Sequence, residues 1–180
     1  MSRFTDEILQ WRPEIHSDNR GLFYESYNQV DFDNRIGSKV RFVQENHSVS
    51  ARGVIRGLHY QLPPAEQGKL VRVTRGSAFD VVVDIRHSSP DFGRWAGYEL
   101  TEDNHIQLWI PPGFAHGFMA LVDGTEVQYR TTHLYSPDRE RSIRWNDPDI
   151  GITWPIETIH PIISPSDAAA DPLARAEIFD

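Results

Sequence analysis

The sequence predicts an all-β fold, a sandwich, jelly roll or barrel, with a few short peripheral helices. Three observations carry that reading. Short runs rich in β-branched and aromatic residues recur through the middle of the chain. Turn signals separate them: Pro63-Pro64, Gly76-Ser77, Ser88-Ser89-Pro90, Pro111-Pro112-Gly113, Asp123-Gly124 and Ser136-Pro137-Asp138. Helical patterns are few, and many short strands with regular turns are the mark of sandwiches and barrels.

In chain order, the first clear element is a helix over Gln29–Ile36. Asn28 can cap its start, Asp31 suits the positive end of the helix dipole, and Gly37 can close it. Strands are expected at Val40–Asn46, Leu70–Thr74, Ala78–Ile85, Ile106–Ile110 and Glu126–Thr131. In the fourth of these, Ile106, Leu108 and Ile110 alternate with Gln107 and Trp109, the period of a half-buried strand. The turn at Pro111-Pro112-Gly113 leads to His116, which is expected to begin an apolar strand from Phe118 to Val122. A second short helix is expected from Ser164 or Ser166 through Ala170, stopping before Pro172. The tail from about Asp171 is expected to be extended and loosely held.

Residues 1–180 fit one domain, long enough to bury a sizeable core. The chain has no cysteine, which removes disulfides, thiolate metal sites and cysteine nucleophiles from consideration. It has neither a leader-like start nor an apolar run near the ~20 residues of a membrane helix, so a soluble, cytoplasmic protein without membrane partners is expected. A net charge of −8 speaks against general nucleic-acid binding. Charge is unevenly placed, however. Residues 52–75 carry Arg52, Arg56, Lys69, Arg72 and Arg75 against Glu66 alone, a balance of five minus one, or +4. Such an island suits a small anionic ligand such as a phosphate ester; a solvated strand face is the alternative.

Within that island, Arg56-Gly57-Leu58-His59-Tyr60-Gln61 is followed closely by Gly68-Lys69-Leu70-Val71-Arg72. Arg56 and His59 fall on opposite parities of a straight strand, but Gly57 between them can mark a bulge. A histidine beside cationic groups is suited to moving a proton while holding an anion. His116 enters an apolar layer and needs a partner there, as a core residue or as a ligand contact. Tyr129, in Glu126–Thr131, is protonated at neutral pH with its ordinary pKa of about 10, and so suits an acid's role. His59, Gln61, Glu66 and His116 are similar in layout to the ligands of metal cupins, but Gln61 stands where a second histidine is expected. Amide oxygen is the poorer ligand for zinc or iron, so the reading is a cupin-like jelly roll without a metal.

The chain also resembles, from about Glu14 to Pro172, the dTDP-4-dehydrorhamnose 3,5-epimerases of nucleotide-sugar biosynthesis. The matching stretches are Arg20–Tyr27, Phe42–Ser48, Val54–Gln61, Gln67–Arg72, Gln107–Pro111, Gly113–Phe118 and Ile143–Asp147. The resemblance implies a cupin-like jelly-roll sandwich, homodimeric, with no cofactor. It implies His59 as general base, Tyr129 as general acid, Asp167 as the partner of His59, and Lys69 facing the 4-keto oxygen. Arg20, Glu25, Gln44, Glu45, Asn46, Arg56, His116 and Glu140 match positions that contact the nucleotide sugar, and Tyr135 matches the aromatic that stacks on thymine. The implied reaction inverts C3 and C5 of dTDP-4-dehydro-6-deoxy-D-glucose, giving dTDP-4-dehydro-L-rhamnose. The alternatives are a C3-only epimerase of a dTDP-4-keto-6-deoxy sugar, a metal-dependent cupin enzyme and a non-catalytic sugar-nucleotide binder. Leu22, His133-Leu134-Tyr135 and Ser166 depart from the family's usual pattern.

Overall fold

The computed structural model describes residues 4–157 and 159–180. Two sheets form its body. One has five strands in the order β1 (Leu9–Trp11), β9 (Gln107–Ile110), β6 (Lys69–Arg75), β11 (Thr125–Thr131) and β4 (Gln44–Ser50). The other runs β12 (Glu140–Ser142), β5 (Val54–Gln61), β10 (Phe114–Ala120), β7 (Ser77–Asp84) and β8 (Trp95–Thr101), with β13 (Ile162–Ile163) beside β5. β2 (His16–Asp18) and β3 (Gly21–Phe23) make a separate hairpin. Three short helices complete the elements used below: α1 (Phe4–Glu7), α2 (Gln29–Ile36) and α3 (Pro165–Ala168). The fold is the all-β, cupin-like sandwich expected of the sequence.

Alternation along the strands builds three apolar layers. Between the sheets, Val71, Val73, Leu108, Ile110 and Val127 meet Ala78, Val82, Leu100, Phe114 and Phe118. On the outer face of the six-stranded sheet, Ile55, Leu58, Val81, Val83 and Met119 are covered by Ile143, Ile150, Trp154 and Leu173. On the outer face of the other, Leu70 and Trp109 are covered by Phe32 of α2, which meets the Trp109 ring edge-on, with Tyr27 and Phe42 packed beside it and edge-on to each other. Central strands are therefore covered on both faces, and β10 is buried at every position.

Helix α2 follows its sequence signals. The Asn28 side chain accepts from the N–H groups of Val30 (2.9 Å) and Asp31 (3.3 Å), and Gly37 ends the helix at φ 70°. The same helix overturns the strand expected at Val40–Asn46. Val40 gives its N–H to Asp33 and its carbonyl accepts from Gln29, so its backbone is engaged by helix side chains. Ladder pairing with β11 begins instead at Gln44. His116 does not begin its strand either: β10 starts at Phe114, opposite Asp84, and places His116 in mid-strand. The second helix is shorter than expected, capped by Ser164 and ending at Ala168. The tail is not loose. Leu173 is buried with its N–H on Asp147 (2.6 Å), Tyr60 donates to the Glu177 carbonyl, and Phe179 bridges to Arg86. Its apolar residues are part of the cover over the six-stranded sheet.

The Gly57 bulge is present. His59 pairs with His116 and Arg56 with Phe118, so Gly57 and Leu58 together oppose Gly117. The extra residue brings Arg56 and His59 to the same face, while Ile55, Leu58 and Tyr60 pack outward.

A buried ion network ties the N-terminal helix to the core. Asp84 is fully buried and accepts two bonds from the Arg86 guanidinium (3.0 and 2.6 Å), which also reaches Glu7 and lies over the Phe114 ring. Removing one partner of such a pair strands a buried charge. Arg86→Ala is expected to lower stability by about 3 kcal/mol, at the low end for buried pairs because Ser89 still bonds Asp84. Urea unfolding measures this, and a loss under about 1 kcal/mol would mean that Asp84 does not depend on Arg86.

Candidate active site

A cavity of about 660 Å³ lies between the sheets, walled by β4, β6 and β11 on one side and by β5, β10, β12 and α3 on the other. His59 reaches it because of the bulge in β5. Its Nε2 donates to Oδ1 of Asp167 at 2.6 Å, which leaves Nδ1 as the basic nitrogen of the ring. Asp167 sits in the first turn of α3, where its own N–H bonds the Ser164 hydroxyl. Burial pushes its carboxyl up, but bonds from His59, Ser164 and the Gly57 backbone outweigh this and hold it below the ordinary value of 3.8.

Lys69 begins β6 and points inward. Only 7% of it is exposed, and its Nζ donates to the His59 carbonyl at 3.1 Å. Burial brings its pKa down to about 8, against the pull of Asp80 and Glu140. A second histidine–carboxylate pair lies deeper. His116 Nε2 bonds Asp80 Oδ2 at 2.8 Å, with both residues buried. The other oxygen, Asp80 Oδ1, has no hydrogen-bond partner among the described residues.

Tyr129 projects from β11, directly opposite Asn46 of β4 and Val71 of β6. Burial raises its phenol above 10, while a hydrogen bond with the Asn46 side chain and the charge of Arg56 act the other way. Arg56 is anchored by Nε on the Ser50 hydroxyl at 3.2 Å. Tyr135 is half exposed at the cavity rim. Its hydroxyl donates to Glu140 (2.7 Å) and its N–H to the Gln44 side chain (2.8 Å).

Ten of the thirteen residues singled out from the sequence thus surround one space: His59, Tyr129, Asp167, Lys69, Gln44, Asn46, Arg56, His116, Tyr135 and Glu140. Three do not. Glu45 faces the other side of β4 and pairs with Arg130 at 3.0 Å. Arg20 sits at the β2–β3 turn in an ion pair with Asp18, and Glu25 lies in a separate cleft beside Trp11 and Tyr27. Of the basic island, Arg56 and Lys69 alone line the cavity. Arg72 turns outward to Gln128 (2.8 and 2.6 Å), and Arg75 pairs loosely with Glu126.

Sequence reasoning passed over Asp80. Its signal was a lone acid within Ala78–Ile85, in step with the inward-facing Ala78 and Val82. The metal-cupin layout is also accounted for. The Gln61 amide is committed to the carbonyls of Ala65 and Leu134 and to the N–H of Ser136. Glu66 does not line the cavity, and among the described residues no three His, Cys, Asp or Glu side chains group as metal ligands would.

A basic imidazole, a half-buried phenol and a buried ammonium around one cavity suit proton transfer next to a carbonyl. Residues 5–175 match the sequence profile of the dTDP-4-dehydrorhamnose 3,5-epimerases. The chain belongs to that family. It is 50% identical over 173 residues to the dTDP-4-dehydrorhamnose 3,5-epimerase of Shigella flexneri, covering 96% of this chain and 94% of that one. The crystal structure of the Legionella pneumophila dTDP-6-deoxy-D-glucose-3,5-epimerase, in complex with dTDP-4-keto-L-rhamnose, superposes with a TM-score of 0.91 at 46% identity, covering 94% of this chain and 89% of that chain. A 3'-monoepimerase from Streptomyces bikiniensis, in complex with dTDP-quinovose, is similar at a TM-score of 0.88 and 37% identity, covering 93% and 84%. Family membership makes the chain a carbohydrate epimerase, an isomerase.

The burial of Lys69 has a measurable consequence. The chain has two lysines, Lys39 and Lys69, so Lys39→Arg leaves one reporter for an NMR titration of the labelled side chain. The Lys69 midpoint is expected at about pH 8. Asp80→Asn removes the leading influence that raises it and should move the midpoint lower. A midpoint at the ordinary 10.5 would show the ammonium to be solvated.

Proposed function

We propose that this protein inverts C3 and C5 of dTDP-4-dehydro-6-deoxy-D-glucose, making dTDP-4-dehydro-L-rhamnose, with His59 as base and Tyr129 as acid. One observation carries the assignment of roles: His59 comes from the six-stranded sheet and Tyr129 from the five-stranded sheet, and they line the same cavity. Inversion at a carbon requires a proton to leave one face and another to arrive on the opposite face. Two groups on facing walls meet that requirement; two groups on one wall do not.

The chemistry follows from the ketone. C3 and C5 both flank C4, so removing a proton from either yields an enolate whose charge rests on O4. His59 Nδ1 takes the proton, while Asp167 holds the ring through Nε2 and steadies the imidazolium that forms. The Lys69 ammonium stabilises the oxyanion. Tyr129 then gives its phenolic proton to the other face of the carbon. Arg56 suits the diphosphate, whose oxygens a guanidinium binds in pairs. Tyr135, with Glu140 holding its hydroxyl, suits the thymine. None of these steps calls on a redox cofactor or a metal. The rate should fall as pH rises through about 8, because Lys69 stabilises the enolate only while protonated.

The same reading includes a homodimer. Arg20 and Glu25 match nucleotide-sugar contacts yet lie outside the chain's own cavity. Arg20 sits in the turn of the β2–β3 hairpin and Glu25 just beyond its end, and the hairpin exposes Leu22 (54%) and Phe23 (72%). Exposed apolar side chains beside stranded site residues fit a hairpin that docks on a second copy and completes that copy's cavity. The chain acts as one domain in this arrangement. No helix among the described residues is long and apolar enough to cross a membrane, and a cytoplasmic location belongs to the same proposal.

Turnover in deuterated water tests the reaction. Wild-type protein should place label at both C3 and C5; label at C3 alone would replace the proposal with a C3-only epimerase. His59→Ala should lose exchange at both carbons, and normal exchange would remove the base assignment. Lys69→Ala should slow turnover roughly 10²-fold or more, the cost of an oxyanion donor. The dimer has its own test. Mixing inactive Arg20→Ala and His59→Ala proteins should restore about one quarter of the activity, since half of each mixed dimer has an intact site. No recovery after subunit exchange would place Arg20 in its own chain's site or in none.

A further inference from the structure

We propose that Gln44 and Asn46 are positioning residues that fix the direction of hydrogen bonding at Tyr129, so that its phenol presents a proton to the cavity. The inference rests on the acid role given to Tyr129 above. Both amides lie on β4, on the face turned to the cavity, and Asn46 stands directly across from Tyr129 in the ladder.

The direction is set by one group that cannot reverse. The Tyr135 backbone N–H can only donate, and it donates to the Gln44 side chain at 2.8 Å. The atom that receives it must be an oxygen, so Gln44 Oε1 faces Tyr135 and Nε2 faces the other way. Gln44 Nε2 donates to Asn46 Oδ1 at 2.9 Å. That turns Asn46 Nδ2, a donor, away from Gln44, and Nδ2 is the atom that Asn46, directly across the ladder, has to offer the Tyr129 oxygen. On this proposal the phenol oxygen accepts from Asn46, and its own hydrogen is left to point elsewhere. Amide oxygens and nitrogens can exchange places in a network, but here each choice is forced in turn by the backbone N–H.

Two effects follow. An unforced amide could offer its oxygen to the phenol and draw the O–H away from the substrate. The forced one leaves the O–H free and also stabilises the phenolate that remains after the proton is given up. The relay begins at Tyr135, on the cavity rim, so a ligand that moves the Tyr135 backbone acts on the acid through Gln44 and Asn46. Arg56 contributes to the same phenol by charge, and Glu140 opposes it.

The test uses substitutions close in size. Asn46→Asp replaces the donor with an acceptor. Gln44→Glu keeps the bond from Tyr135 but has no N–H for Asn46, whose amide is then expected to turn and offer its oxygen to the phenol. Both should lower kcat by about 10- to 100-fold, the range of one hydrogen bond to a charged group. The Tyr129 titration, followed by phenolate absorbance as the difference from the same protein carrying Tyr129→Phe, should move to higher pH. In a Tyr129→Phe background neither substitution should lower kcat further. A raised KM with kcat and phenol titration unchanged would overturn the proposal, making the two amides plain substrate contacts. Additive losses in the Tyr129→Phe background would overturn it as well. Should Asn46→Asp fail to fold, Gln44→Glu alone decides, one residue removed from the phenol. The phenol titration needs no substrate, so it reads the relay even if the wild-type protein exchanges no label and the proposed reaction fails.

Discussion

The cavity depends on one departure from strand periodicity. In a regular strand Arg56 and His59 would face opposite ways. The extra residue at Gly57–Leu58, set against Gly117, turns both toward the space between the sheets. Two glycines make the departure possible. A Cβ on Gly57 would stand 2.5 Å from the Gly117 Cα, and one on Gly117 would stand 2.8 Å from the Arg56 carbonyl. Gly57 also has φ 123°, a conformation that side chains rarely adopt. The position of the imidazole is therefore set by backbone packing between β5 and β10. Asp167 adds the last restraint, reaching Nε2 from a helix more than a hundred residues away in the chain.

Charge is balanced in the cavity although it is not over the whole molecule. The protein carries −8, while the cavity lining sets Arg56 and Lys69 against Glu140 and Asp167. Burial alone would push Lys69 toward neutrality. Asp80 and Glu140 oppose that, and the balance leaves its pKa about 8, on the protonated side of neutral pH. Asp80 shows the other side of the balance. It is wholly buried, spends one oxygen on His116 and leaves the second unmatched among the described residues. A carboxylate in that condition costs stability, and its position beside two cationic or ionisable groups is the gain that offsets it.

What could be read from the chain, and what could not, divides along a physical line. Local signals were legible. The Asn28 cap and Gly37 stop define α2 to the residue, and the Gly57 bulge follows from a glycine between two polar residues of opposite parity. Signals that depend on distant partners were not. Val40–Val43 has the composition of a strand, but Gln29 and Asp33 take up the Val40 backbone groups. The tail reads as loose because nothing near it in sequence shows that Tyr60, Arg86 and Asp147 receive it. Asp80 looked like an odd acid in an apolar run because its partner is 36 residues away on the next strand. The roles of the site residues came from resemblance. Composition and spacing supplied only a histidine among cations.

A sandwich suits two-sided proton chemistry at a cost to its own core. Val127 of β11 faces an apolar layer, and two residues further along the same face Tyr129 lines the polar cavity. The same change occurs along β6, where Val71 and Val73 give way to Lys69 at the strand's start, and along β10, where Phe114 and Phe118 bracket His116. Each strand therefore stabilises the fold with part of its inward face and exposes chemistry with the rest. Burying the polar part demands partners, and the partners form chains: Asp167 with His59, Asp80 with His116, Tyr135 through Gln44 to Asn46. A hydrogen bond that satisfies a buried group also chooses its tautomer or its direction. In this cavity the bond that gives the buried Asp167 carboxylate a partner also leaves Nδ1 as the acceptor nitrogen of His59.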